Sequence, residues 1–188
     1  MDAIAGKNLR QRESGDWYAH VKRGQDVLLA LAALVLLWPF FLLTGLLIVL
    51  DSPGAEGELR QLLHRNEMDG PCFKIRDDPR ITRFGRFLRR SGLDELPQLW
   101  NVLRGDMSIV GPRPALPLET AQYSAYERQR LWVKPGITCY WQIQPSRNTL
   151  HFSQWMELDM AYLREQSFLT DWKIIFATVK AVLQMDGQ

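Results

Sequence analysis

The sequence has little cysteine, little histidine and no internal repeat. Only Cys72 and Cys139 occur among its 188 residues, and they form no C-x-x-C pair. That argues against a disulfide framework and against a cysteine-built zinc site. His20, His64 and His151 are scattered without an H-x-x-x-H pattern, so a histidine-built metal centre is not expected. An excess of one charge is missing too. Lys and Arg number 23 against 21 Asp and Glu, and a net charge of +2 is too mild to argue for nucleic acid. Low-complexity runs are absent. What is present is enough chain for one domain with a real core. Hydrophobic residues make up 46% of it, yet the mean hydropathy lies below zero, so the apolar excess is concentrated in one place.

That place is Val27 to Leu50, which contains no charged residue. It is long enough to cross a bilayer. It starts too late for a usual secretory signal and no cleavage pattern follows, so it is expected to be retained. Two features favour a segment that enters and returns on the same side. Pro39 lacks an N–H and its ring crowds the preceding turn, which kinks or breaks a helix. The arms on either side reach only about 16–18 Å each, short of a hydrocarbon core of about 30 Å. Both flanks are also basic: Lys22 and Arg23 precede the segment, and Lys74, Arg76, Arg80, Arg83, Arg86, Arg89 and Arg90 follow it. Basic flanks prefer the cytoplasmic side. Trp38 would sit poorly at mid-bilayer, because tryptophan favours interfaces. On these residues alone, a re-entrant helix bent at Trp38-Pro39 and a kinked spanning helix both stay open.

The organisation that follows is a polar N-terminal segment (1–21), a membrane helix (22–51) and a helix-rich α+β domain (52–188). Turn chemistry in Asp51-Ser52-Pro53-Gly54 ends the membrane helix. Glu56 to Asn66 reads as a short polar helix. Thr82 is suited to cap "RFGRFLRRS", where Phe84, Phe87 and Leu88 share a face flanked by arginines. This composition fits an interfacial helix on an anionic membrane and, equally, a helix packed on the core with a solvated basic face. A further helix is expected in "ELPQLWNVLRG", begun at Asp94 or its neighbour, with Pro97 in its first turn and Gly105 as its stop. Residues 117–132 are expected to be helical and 137–143 a short strand. Ser153 would cap a helix to about Gln166. Thr170 would cap the last one, with Trp172, Ile175, Phe176, Val179, Val182 and Leu183 on one face.

The chemistry concentrates in "SGLDELPQLWNVLRGDMSIVGPRP", residues 91–114. Adjacent Asp94 and Glu95 in a helix interior would be solvated surface charges. At a helix start they meet free N–H groups and the positive end of the dipole, which favour ionised carboxylates. Simple capping would account for a lone Asp-Glu pair. In "GPRP", 111–114, two prolines fix φ on either side of Arg113. A guanidinium on so stiff a backbone suits bidentate binding of phosphate. Carboxylates beside such an arginine suggest a site for Mg²⁺ and phosphate.

"LDELPQLWNVLRGDMSIVGPRP", with "VKPGIT" at 133–138 and "SRN" at 146–148, resembles the bacterial sugar transferase family, the monotopic polyprenyl-phosphate phosphoglycosyl transferases that initiate glycan assembly. The likeness extends from about Lys22 to Lys180. It implies a re-entrant membrane helix broken at Pro39, carrying a small cytosolic catalytic domain on the membrane surface with amphipathic interfacial helices. The expected location is the cytoplasmic face of a bacterial inner membrane. It further implies that Asp94 is the nucleophile on the β-phosphate of a UDP-sugar. UMP would leave a phosphosugar-aspartyl intermediate, from which polyprenyl (undecaprenyl) phosphate takes the phosphosugar. Glu95 would help hold Mg²⁺, with Asp94, or handle a proton. Arg113, Arg147 and Asp159, the last a polar position near the site in "ELD", match substrate phosphate- and nucleotide-binding positions. The sugar, the polyprenol length and the state of self-association are left open.

The sequence departs from the family pattern twice. Trp38 stands before the central proline, where serine is usual. After Gly54 the strand-rich stretch of the "PVFFKQERVG" kind, with its basic residue near the site, has no counterpart. The competing expectation is therefore a catalytically impaired short variant that binds nucleotide sugar or lipid phosphate at the membrane.

Overall fold

The computed structural model describes residues 16–51, 81–144 and 149–183. Glu56 to Asn66, Lys74, Arg76, Cys72 and Arg147 lie outside the described residues. Helix α1 runs from Asp16 to Asp51. It is followed by α2 (Arg83–Ser91), a 3-10 turn (Leu93–Gln98), α3 (Leu99–Arg104) and strand β1 (Ser108–Val110). The chain continues through α4 (Pro117–Thr120), a second 3-10 turn (Glu127–Trp132), β2 (Gly136–Thr138), α5 (Phe152–Glu165) and α6 (Phe168–Leu183). Among the described residues the architecture is helix-rich with one small sheet. β1 and β2 pair in parallel, Ser108 opposite Gly136 and Val110 opposite Thr138. Parallel strands need a crossover, and the segment with α4 and the second 3-10 turn supplies it.

α1 is the one described helix long and apolar enough to cross a membrane, by length and composition. Its assignment continues through Pro39 without ending there. Leu28, Val35, Leu36 and Leu42 are each about two-thirds exposed or more, and Trp38 is exposed as well. So much contiguous apolar surface marks a membrane or partner contact. The opposite face is keyed to the domain by polar contacts. Lys22 Nζ pairs with Asp171 Oδ2 at 2.6 Å. Arg23 donates to the Val102 carbonyl and, at 2.7 Å, to the Leu103 carbonyl, which satisfies the C-terminal end of α3. The buried Asp26 accepts from Ser108 Oγ at 2.7 Å and from the Ile109 amide at 3.0 Å. Ala30 then packs with Leu99, Val102 and Met107, where Ala33, Leu34 and Phe41 join them. The turn before the apolar segment thus sets the register of both α3 and β1.

Local capping explains where the elements differ from the pattern read in the sequence. Thr82 caps α2 as expected, its Oγ1 accepting from the Gly85 amide at 3.0 Å. Gly105 ends α3 in the left-handed region, φ 94°. Residues 117–132 are not one helix. Glu119 reaches back to the Leu116 amide and closes a single turn. The chain restarts at Ser124, where Ser124 and Glu127 exchange hydrogen bonds as a capping box. The strand foreseen over 137–143 stops at Thr138 and becomes a turn. His151, not Ser153, precedes α5, and Ser167 caps α6 by accepting from the Thr170 amide at 3.2 Å. On α6 Asp171 and Ile174 point inward, while Phe176 and Val179 face outward.

Candidate active site

Two glycines explain why "GPRP" and "KPGIT" occur together. The Gly111 amide donates to the Thr138 carbonyl at 3.0 Å, and the Gly136 amide donates to the Pro112 carbonyl at 2.9 Å. The two backbones lie so close that a Cβ on Gly136 would overlap the Gly111 backbone, and one on Gly111 would overlap the Lys134 carbonyl. No L side chain fits either place. The contact delivers Arg113 at the end of β1. Gly136→Ala should therefore destabilise the fold by about 3 kcal/mol through overpacking, read as a lower midpoint in thermal unfolding. An unchanged midpoint would remove this account of the motif.

Beneath Arg113 lies a buried ion pair. Arg130 Nη2 donates to the Arg113 carbonyl at 2.9 Å and sits 2.8 Å from Asp159 Oδ2. Its Nη1 donates to the Tyr123 hydroxyl at 3.0 Å. Asp159 is 1% exposed, and among the described residues neither of its oxygens has an aligned donor. Burial lifts its carboxyl from 3.8 to about 6, against the lowering influence of Arg130. Asp159 is linked through the buried Arg130 to the backbone that carries Arg113. The Arg113 guanidinium itself is exposed and lies 6.0 Å from the centre of the Trp141 ring, which stacks on Trp155 at 4.3 Å.

The paired carboxylates stand across from this. Gly92, in the left-handed region at φ 66°, ends α2 and starts the 3-10 turn, so Asp94 and Glu95 fall in its first turn. Asp94 is exposed and Glu95 half-buried. Gln142 Nε2 donates to Glu95 Oε1 and Oε2 at 3.2 and 3.3 Å. Consecutive residues of the turn after β2 therefore bring the two halves together: Trp141 meets Arg113, and Gln142 meets Glu95. Cys139, at the start of that turn, is buried, and its thiol donates to Gln142 Oε1 at 3.3 Å. Burial first, then the Asp159 charge, pushes this thiol well above its usual range, which leaves it an inert hydrogen-bond donor.

As a donor set, Asp94 and Glu95 fit Mg²⁺, which binds through one or two carboxylates and completes its shell with water and substrate phosphate. No group of three or more His, Cys, Asp or Glu side chains that could form an all-protein cage occurs among the described residues. Of the residues singled out from the sequence, Glu95 and Arg113 meet through the Trp141–Gln142 turn, and Asp94 adjoins Glu95. Asp159 lies underneath, and Arg147 is outside the described residues. Sequence reasoning missed Gln142, Trp141, Cys139 and Arg130. The "CYWQ" run directly after "KPGIT" carries the available signal, although its residue types suggest strand.

The family profile described as bacterial sugar transferase matches residues 57–185. The chain belongs to that family. It is 47% identical over 133 residues to galactosyl transferase CpsE of Streptococcus agalactiae, covering 71% of this chain but 30% of that one. It is 34% identical over 197 residues to the exopolysaccharide production protein ExoY of Sinorhizobium fredii, covering 88% of this chain and 87% of the relative. With UDP-glucose:undecaprenyl-phosphate glucose-1-phosphate transferase of Xanthomonas campestris it shares 37% over 203 positions, 94% of this chain and 42% of the relative. The chain thus spans under a third of CpsE and most of ExoY. Alignments of 197 and 203 positions exceed its 188 residues, so these relatives carry residues without a counterpart here.

Proposed function

We propose that this family member transfers a sugar-1-phosphate from a UDP-sugar to undecaprenyl phosphate at a membrane surface. The observation that carries the reading is the exposed Asp94 beside an oriented Glu95, joined through one turn to an exposed Arg113. The printed names of relatives, which include UDP-galactose-lipid carrier transferase and undecaprenyl-phosphate glucose phosphotransferase, support the substrate class.

The chemistry balances in two steps. An Asp94 carboxylate oxygen attacks the β-phosphorus, the bond to the bridging oxygen of the α-phosphate breaks, and UMP departs with the electron pair. A phosphate oxygen of undecaprenyl phosphate then attacks the same phosphorus and releases Asp94. Arg113 binds and neutralises phosphate oxygens, held in place by Gly136 and Arg130. Mg²⁺, held by Asp94 and Glu95, supplies charge neutralisation on the pyrophosphate when bound.

We read α1 as re-entrant, with the domain on the cytoplasmic face of the inner membrane. Three observations support a bend. Pro39 lies within the helix. Thr44 back-bonds to the Phe41 carbonyl at 3.1 Å, a pattern that bends helices. Residues on both sides of the proline, Ala30 and Phe41, pack on one cluster of the domain.

UMP release by the membrane-embedded chain, offered a panel of UDP-sugars with undecaprenyl phosphate and Mg²⁺, tests the reading. Release with one sugar and formation of its lipid-linked diphosphate are expected. The positions of ExoY and its Xanthomonas counterpart that this chain lacks favour one second reading, a membrane-bound binder of nucleotide sugar without turnover. Binding of the UDP-sugar with no UMP released would select it.

A further inference from the structure

The strongest unassigned arrangement is the hydrogen-bonded line from Cys139 through Gln142 to Glu95. A glutamine amide can face a carboxylate with either end, and only the nitrogen end is favourable. Here the buried Cys139 thiol donates to Oε1 at 3.3 Å. That engages the oxygen on the core side and turns Nε2 outward, where it meets both Glu95 oxygens. Gln142 cannot drift, because its own turn is pinned: Trp141 is buried in a stack with Trp155, and Gln144 donates through Nε2 to the Tyr140 carbonyl at 3.2 Å. Asp94, by contrast, is exposed. The two carboxylates are therefore unequal, one oriented from the core and one free to move toward a ligand.

We propose that Gln142 is a positioning residue, set by the Cys139 thiol, that fixes the Glu95 carboxylate so that Asp94 alone reaches the phosphorus. The proposal rests on the reading of Asp94 and Glu95 as the working pair. Partners that orient a site carboxylate through a second hydrogen bond change affinity or activity by about 10–100-fold when lost. Gln142→Met keeps the length and volume of the side chain and removes both hydrogen bonds. Its kcat should fall by about 10–100-fold with the KM for UDP-sugar within about twofold and the unfolding midpoint unchanged, because phosphate binding by Arg113 is untouched.

A second measurement does not depend on turnover. In [¹⁵N]glutamine-labelled chain held in lipid nanodiscs, the side-chain amide signal of Gln142, assigned by its loss in Gln142→Met or Gln142→Glu, should shift in Glu95→Gln. A kcat unchanged in Gln142→Met overturns the proposal. So does a loss of kcat that tracks a lowered unfolding midpoint, and so does an amide signal that ignores Glu95→Gln. If the wild type releases no UMP with any sugar, the transferase reading falls, and the amide signal alone then decides whether Gln142 holds Glu95.

Discussion

Asp94→Asn is expected to abolish UMP release, by about 10⁴-fold or more, while leaving the fold intact. Loss of the attacking group removes the covalent route altogether, and nucleophile deletions in comparable enzymes cost that much or more. The amide is nearly isosteric, and Asp94 is exposed in the first turn of the 3-10 segment. A surface substitution of this kind should change stability by no more than about 0.5 kcal/mol. The decisive form of the experiment omits the lipid acceptor. Wild-type chain given UDP-sugar and Mg²⁺ should then release UMP in a burst that stops at one equivalent per chain and should gain the mass of a phosphosugar. Asp94→Asn should do neither. A full burst from the variant would take the nucleophile away from Asp94, and continuous release without acceptor would show direct hydrolysis by water. The variant should still bind UDP-sugar, since Arg113 is held independently from β1 and Arg130.

Much of this site was legible in the sequence for reasons that are local. Asp94 and Glu95 follow Gly92, and a glycine that ends one helix fixes where the next turn begins. Arg113 lies between two prolines, so its backbone is stiff wherever it lands. The cap at Thr82, the stop at Gly105 and the apolar run of α1 are likewise short-range signals. What could not be read is which turn meets which. Gln142 reaches Glu95 across 47 positions of chain, and Arg130 reaches Arg113 across 17. Periodicity carries no information about such meetings. Where it was applied to 137–143 it misled: β-branched and aromatic residues suggested a strand, but Cys139 and Trp141 are buried in the core as a turn that presents Gln142. The Ser124–Glu127 capping box was visible in the sequence, and it breaks the helix that composition suggested over 117–132. Asp159 was found by resemblance and placed among the phosphate-binding residues. The structure puts it beneath them, at 1% exposure.

That burial makes the largest stability effect predictable. Arg130→Met leaves the Asp159 carboxylate in the core without its counter-charge and should cost about 3–5 kcal/mol. The pH dependence separates this cause from simple loss of packing. In the wild type the Asp159 carboxyl is raised from 3.8 to about 6, burial outweighing Arg130. Between those values the folded chain binds more protons than the unfolded one. The contribution of Asp159 is therefore full below about pH 4 and is lost as pH rises through about 6, a change of about 3 kcal/mol from this group. In Arg130→Met the influence that lowered the carboxyl is gone and the burial remains. The loss must then continue to higher pH, and the gap between variant and wild type should widen from pH 5 to pH 8. Replacing both partners, as in Arg130→Met with Asp159→Leu, removes the buried charge, so the double variant should be more stable than Arg130→Met alone above pH 6 and should lack this pH dependence. Unfolding midpoints of the three chains at pH 5, 6, 7 and 8 decide it. A deficit in Arg130→Met that stays constant with pH would mean that the Tyr123 and Arg113 contacts of Arg130 carry the cost, and the charge of Asp159 does not.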